Sequence, residues 1–153
     1  MAEQAAPSSQ GRRVRGGGNA PNHNFQGIVA SGLGKAAGFT EIAWVREQFA
    51  QRLRFKAWPG TLNLRLVEPE SLEQWRLLSE QPGIEIEPPS RSECVARCYE
   101  VLVQERVLGA IILPHVADYP GDQIEILAAT NLRRELGLVD GDRVTLRVLE
   151  VVS

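Results

Sequence analysis

The sequence predicts a mainly β fold, a closed or nearly closed β-barrel of about six or seven short strands with two or three short helices across its openings. Three observations carry that expectation. Short apolar runs of strand length recur along the chain, and the last is the plainest, with Val144, Leu146 and Val148 alternating against Arg143, Thr145 and Arg147. Turn residues separate the runs at frequent intervals, as at Pro59-Gly60, Pro82-Gly83 and Asp140-Gly141-Asp142. Strand and helix patterns do not alternate regularly, so a doubly wound α/β sheet fits poorly.

Residues 1–24 read as a disordered tail, because they contain Pro7, Gly16-Gly17-Gly18 and very few large apolar side chains. Arg12, Arg13 and Arg15 form a small basic patch there. It reads as solvated, with a weak contact to RNA, lipid or a partner as the alternative. Order is expected to begin at Phe25, in a domain covering residues 25–153. Residues 25–30 have strand character and lead into a loop of small residues, 31–38. A helix follows over about residues 41–53, where Ile42, Val45, Phe49 and Leu53 make one apolar stripe. Residues 56–60 form a turn at Pro59-Gly60. Residues 61–67 alternate as a strand.

Ser71 is expected to cap a second short helix, with Gln74 completing a capping-box pattern and Leu72, Trp75 and Leu78 facing inward. Residues 81–92 read mostly as loop, since they carry Pro82, Gly83, Pro88 and Pro89. Residues 94–103 and 107–113 read as a hairpin around Gln104-Glu105-Arg106. A loop at 117–121 precedes a strand at 123–128. Thr130 then caps a helix over 131–136 that Gly137 ends. The tight turn at 140–142 leads into the last strand, 143–151.

Composition narrows the function classes. The chain has 153 residues, 43% of them apolar and 24% charged, enough for one domain with a real core. A formal net charge of -2 offers no general attraction to nucleic acid, which makes that partner an unfavoured one. No apolar run reaches membrane-spanning length, and the polar, alanine-rich start has no apolar core for a secretory signal, so the expectation is a cytoplasmic protein with no membrane partner. Cys94 and Cys98 lie four residues apart on one strand, roughly 13 Å, too far for a disulfide between them. His23 and His115 have no partner at metal-ligand spacing.

Two segments point to chemistry. Ser31-Gly32-Leu33-Gly34-Lys35-Ala36-Ala37-Gly38 is small enough for its backbone N–H groups to approach phosphate oxygens. In Gly60-Thr61-Leu62-Asn63, the Thr61 hydroxyl and the Asn63 amide oxygen stand two residues apart on an extended stretch. Both can face one hard cation. Together they suggest a magnesium-nucleotide site. The blander readings are a plain turn for the glycines and local backbone bonding for Thr61 and Asn63. Trp58 and Tyr119 read as core or rim aromatics, with stacking on a planar ligand as the alternative. Arg133 and Arg134 read as a solvated helix face, with a phosphate contact as the alternative.

With these residues in hand, the chain resembles the archaeal CTP-dependent riboflavin kinases. That family carries a Ser-Gly-Leu-Gly loop, a Pro-Gly-Thr-Leu-Asn segment, a Leu-Glu-Ile-Ile-Ala-Pro strand, then Leu-Arg and Leu-x-Asp-Gly-Asp. Here the same order reads Val29-Ala30-Ser31-Gly32-Leu33-Gly34, Pro59-Gly60-Thr61-Leu62-Asn63, Ile124-Glu125-Ile126-Leu127-Ala128, Leu132-Arg133 and Leu138-Val139-Asp140-Gly141-Asp142. The resemblance covers roughly residues 25–151. It implies a six-stranded RIFT-like, cradle-loop barrel that moves the terminal phosphate of CTP to the 5′-hydroxyl of riboflavin, giving FMN and CDP. It further implies Mg²⁺ on Thr61 and Asn63, and nucleotide on Ser31, Gly32, Leu33 and Gly34; Lys35, which follows them, is expected to join the nucleotide site through its positive charge. Flavin is implied on Tyr119 and Glu125, with Glu125 as the catalytic carboxylate. Riboflavin or FMN and a nucleoside triphosphate are thus the expected partners, and the oligomeric state stays open, a monomer included.

The chain departs from the pattern in three places. Lys35-Ala36 stands where the family has Glu-Gly, Val116-Ala117-Asp118-Tyr119 where it has Arg-Thr-His-Tyr, and Ala129 where a Pro is usual. Two other readings stay open: a barrel that binds nucleotide or flavin without transfer, and an AbrB-like structural or regulatory barrel, since the Leu-x-Asp-Gly-Asp turn also occurs there.

Overall fold

A computed structural model of the protein describes residues 24–31, 43–53, 55–87, 95–117 and 119–149. The expected tail, the loop residues Gly32, Leu33, Gly34 and Lys35, and Ile42, Cys94 and Asp118 lie outside the described residues. Seven strands and three helices are described: β1 (Asn24–Val29), α1 (Ala43–Arg52), β2 (Leu62–Arg65), α2 (Pro69–Ser79), β3 (Ile84–Ile86), β4 (Ala96–Val103), β5 (Val107–Pro114), β6 (Gln123–Ala128), α3 (Leu132–Leu136) and β7 (Arg143–Val148).

The strands run in the order β4-β5-β6-β2-β1-β7, and β7 returns to pair with β4. Val101 lies opposite Val148 and Val103 opposite Leu146, which closes the barrel. Every pairing is antiparallel. The seventh strand, β3, pairs with the other end of β4 through Ile84 and Cys98. Residues 81–92 therefore are not all loop: Ile84 and Ile86 alternate around Glu85, and Ile86 is buried. Three residues between two proline-bearing stretches give too short a period to stand out in the sequence.

Strand alternation gives the wall two apolar faces. Leu64, Val101, Ile111, Ile126, Val144 and Leu146 belong to a cluster fed by all six barrel strands, which is the barrel interior. Trp75 of α2 and Leu132 of α3 join it, so these two helices cover openings as expected. The alternate residues Ala110, Ile112 and Leu127 point outward and meet Val45, Phe49 and Leu53. Helix α1 thus packs on the outer wall rather than across an opening. That outer cover buries Leu127 of β6, while Ile124, Ile126 and Ala128 of the same strand are buried from the inside.

Several ends differ from the sequence expectation. Helix α2 begins at Pro69, not after a Ser71 cap, because proline's fixed φ suits the first helical turn. Ser71 lies inside the helix, where its hydroxyl accepts from Gln26 N–H at 3.0 Å and ties α2 to β1. The cap of α3 is Asn131 rather than Thr130; its side-chain oxygen accepts from Arg134 N–H at 3.1 Å. Gly137 ends that helix in the left-handed conformation, as expected. In the β4–β5 hairpin, Gln104 and Glu105 both have positive φ, at 55° and 54°. That geometry matches the strand twist but strains residues with a Cβ. Their side chains hold it: Gln104 Oε1 accepts from Thr145 N–H at 2.7 Å, and Glu105 pairs with Arg147 at 3.0 Å.

Candidate functional site

The register of β2 on β6 sets the site. Asn63 lies directly opposite Glu125, and Leu64 opposite Ile124. Leucines 62 and 64 point into the barrel, so Thr61, Asn63 and Glu125 share the outer face. Thr61 reaches that face from a sharp bend at Gly60, whose φ of 103° favours a residue without a side chain. The bend is pinned by Trp58 N–H, which donates to Ala128 C=O at 2.7 Å.

Glu125 is fully buried. Among the groups that hold its carboxylate are the Thr61 hydroxyl at 3.0 Å on Oε1, the Tyr119 phenol at 2.6 Å on Oε2, and the Gln123 amide at 3.3 Å on Oε2. A buried carboxylate needs such partners, since unpaired desolvation is costly. Burial, and then the bond to Glu125, pushes the Tyr119 phenol well above its ordinary ionisation range, so at neutral pH it keeps its proton and donates it to Glu125.

Beside this group, the Asn63 side-chain oxygen is buried and has no hydrogen-bond partner. An orphaned acceptor of this kind costs about 1–3 kcal/mol. The Thr61 hydroxyl spends its proton on Glu125, which leaves its oxygen lone pairs free. Two neutral oxygens backed by a carboxylate are hard ligands, the type that suits Mg²⁺ with water and phosphate completing its shell. Among the described residues no group of three His, Cys, Asp or Glu side chains forms a metal cage. An ion here would therefore depend on a ligand's oxygens.

A cleft of about 230 Å³ opens beside Thr61. Its floor includes Leu62, Ile126, Ala128 and Leu132, and its rim carries Trp58, Thr130 and Arg133. Trp58 is 41% exposed, with the Arg134 guanidinium 6.0 Å from its ring centre, so it is a rim aromatic and not a core one. On the β1 side, Ala30 N–H donates to Asn63 C=O at 3.0 Å. The described start of the small-residue loop, Ala30-Ser31, thus stands against the Thr61–Asn63 segment. Ser31 donates to Asp140 at 2.8 Å and accepts from Arg133 at 3.0 Å. Arg133 and Ser31 together hold the Asp140 carboxyl below the usual carboxylate range.

Of the residues singled out by sequence, Thr61, Asn63, Tyr119 and Glu125 come together on one face, and Ser31 joins them through Ala30. Sequence reasoning missed Gln123, although its place two residues before Glu125 on one strand puts both side chains on the same face. It also missed that Arg133 and Asp140 meet Ser31; their separation of 102 and 109 residues from it leaves no local signal.

Comparison with known proteins shows the family. The family model CTP-dep_RFKase, described as "Domain of unknown function DUF120", matches residues 29–148. The chain belongs to the CTP-dep_RFKase family. Every described member of the site, from Ser31 to Asp140, falls inside the matched stretch. Among curated relatives, the riboflavin kinase of Methanosarcina barkeri is 38% identical over 127 residues, covering 81% of this chain and 56% of that protein. The riboflavin kinase of Pyrobaculum islandicum is 37% identical over 127 residues, covering 81% and 59%. That of Archaeoglobus fulgidus is 34% identical over 128 residues, covering 82% and 54%. This CTP-dep_RFKase chain therefore spans somewhat more than half the length of those relatives. Among its described residues, no helix is long and apolar enough to cross a membrane.

Proposed function

We propose that the chain is a riboflavin kinase that transfers the terminal phosphate of CTP to the riboflavin 5′-hydroxyl, acting with Mg²⁺ in the cytoplasm, where nucleoside triphosphates are supplied. One observation carries the reading. The buried Glu125 carboxylate, the Thr61 hydroxyl and the unpartnered Asn63 oxygen share the outer face of β2 and β6, and Thr61 also lines the cleft. Phosphoryl transfer needs little else from a protein than positioning and charge stabilisation.

Thr61 and Asn63 would hold the metal. When bound, Mg²⁺ supplies the positive charge that offsets the phosphate oxygens. Glu125, already accepting from Thr61, orients that hydroxyl so that its lone pairs face outward. Glu125 is also the group to take the proton of the attacking hydroxyl. As the new O–P bond forms, the bond to the β-phosphate oxygen breaks and CDP leaves. Full burial sets a condition on that step. The flavin hydroxyl reaches Oε2 when the Tyr119 phenol gives way, and Tyr119 sits on the loop between β5 and β6, where such a shift disturbs no strand. Backbone N–H groups over residues 31–35, Lys35 included, are the proposed nucleotide contacts.

The test is a panel of CTP, ATP, GTP and UTP with riboflavin and Mg²⁺, read as FMN formed. CTP is expected to support transfer best. Thr61→Ala and Glu125→Gln are each expected to lower kcat by about 10²–10⁴-fold while circular dichroism shows an unchanged fold, and chelation is expected to stop turnover. Saturable binding of CTP or riboflavin without any FMN would replace this reading with a binding barrel. Val116 and Ala117, exposed where the family has Arg and Thr, are the residues that such a result would implicate.

A further inference from the structure

Leu132-Arg133 and the turn at Leu138-Val139-Asp140-Gly141-Asp142 are far from Ser31 in sequence order, 102 residues for Arg133 and 109 for Asp140, yet they meet it at the start of the small-residue loop. The turn is fixed on β1 by two backbone bonds, Val29 N–H to Asp142 C=O at 2.8 Å and Gly141 N–H to Val29 C=O at 2.9 Å. Asp142 braces it further by accepting from Val139 N–H at 2.9 Å. From this fixed turn Asp140 projects toward Ser31 and Arg133.

The Arg133 Nη2 group donates to Asp140 at 2.6 Å, to Ser31 Oγ at 3.0 Å and to Ala30 C=O at 3.3 Å. Ser31 closes the triangle by donating its own proton to Asp140 at 2.8 Å. Immediately before, Ala30 N–H donates to Asn63 C=O. Ala30 is therefore held through both of its backbone polar groups, by Asn63 on one side and Arg133 on the other. The Arg133 and Asp140 side chains are 37% and 57% exposed. An ion pair so open to water adds little to stability. Its geometric effect is larger, because one planar guanidinium group ties three acceptors to the residue beside the metal segment.

We infer that Arg133, oriented by Asp140, is a positioning residue that fixes Ala30-Ser31 against Asn63 and thereby sets affinity for the nucleotide–metal pair, without contributing to flavin affinity. This rests on the proposed kinase reading for the identity of the ligand, but not for the existence of the clamp. The clamp acts through Ala30 on the Thr61–Asn63 segment, whereas the Tyr119 side of Glu125 is untouched by it.

The experiment compares wild type, Arg133→Met, Asp140→Asn and the double variant, with Mg-CTP and riboflavin titrated separately by calorimetry. Arg133→Met is expected to raise the Kd for Mg-CTP about tenfold, roughly what loss of a charge-assisted bond network gives. The riboflavin Kd and Tm are expected to hold. The double variant is expected to bind Mg-CTP no more weakly than Arg133→Met alone, since Asp140 acts through Arg133. An unchanged Mg-CTP Kd overturns the inference, and so do equal losses for both ligands or fully additive losses.

A second readout separates this idea from the kinase reading. Amide exchange at Ala30 is expected to speed up at least about fivefold in Arg133→Met, with β4 amides unchanged. If wild type binds neither ligand, the kinase reading falls and the Ala30 amide alone decides the clamp; unchanged exchange there ends it.

Discussion

Tyr119 shows how one side chain's surroundings decide its chemistry. Its phenol is pushed up by burial and by the Glu125 carboxylate, so the folded protein favours the protonated form far more than the unfolded chain does. The stability this gives is fully present below the unfolded tyrosine value, about pH 10, and is lost as pH rises beyond it. Only two tyrosines, Tyr99 and Tyr119, contribute to the absorbance of tyrosinate. Subtracting the Tyr119→Phe titration from wild type should therefore leave a transition displaced to alkaline pH and coincident with unfolding. A subtracted curve that titrates near pH 10 in the still-folded protein would contradict the 2.6 Å bond to Glu125. Much of this was legible beforehand. Thr61 and Asn63 stood out because two oxygens two residues apart on an extended stretch can face one cation, and Glu125 stood out through the resemblance to the kinase family. What the sequence could not convey was that Glu125 is buried on an outward face, where it meets Thr61 from 64 residues away and the Tyr119 phenol; such meetings are tertiary events.

Among the elements, the strands were easier to read than the helix starts. Residues 123–128 were expected as a strand and are one, because Ile124 and Ile126 alternate with Gln123 and Glu125 after the turn residues at Pro120-Gly121. The cap of α2 misled because Ser71 and Gln74 imitate a capping box, while Pro69 two residues earlier already fits the helix. Strand β2, at four residues, is short for a strand that positions both proposed metal ligands. It depends on close approach by β1 at Gly27, where an added Cβ would sit 2.8 Å from Leu64 Cβ and 3.3 Å from Leu66 Cδ2. Gly27→Ala should consequently push β1 away from the interior side chains of β2. We expect a loss of about 1–3 kcal/mol, seen as a lower midpoint in urea with unchanged slope. A weakened Mg-CTP interaction should accompany it, since Ala30 shifts relative to Asn63. Full stability in that variant would mean the barrel interior near β2 has room that these distances deny.

At the scale of the whole molecule, one barrel wall serves two cores. Ile111 and Ile126 face the interior cluster, while Ala110, Ile112 and Leu127 of the same strands face the outer cluster under α1. Neither core can come apart without disturbing β5 and β6, so α1 is not an independent attachment despite its place outside the barrel. This leads to a cooperative prediction. Phe49→Ala empties the outer cluster and Leu146→Ala the inner one, at the strand whose pairing with β4 closes the barrel. Each truncation should cost about 2–5 kcal/mol. Both should shift a single thermal transition, reported alike by far-ultraviolet and near-ultraviolet circular dichroism. Separate transitions in Phe49→Ala, with the barrel signal still at its wild-type midpoint, would show that the outer cluster melts alone. In that case α1 would be a separable cover and the barrel would stand without it. Cooperative loss instead ties Glu125, and with it the orientation of Thr61, to closure of the entire barrel through the shared strand β6.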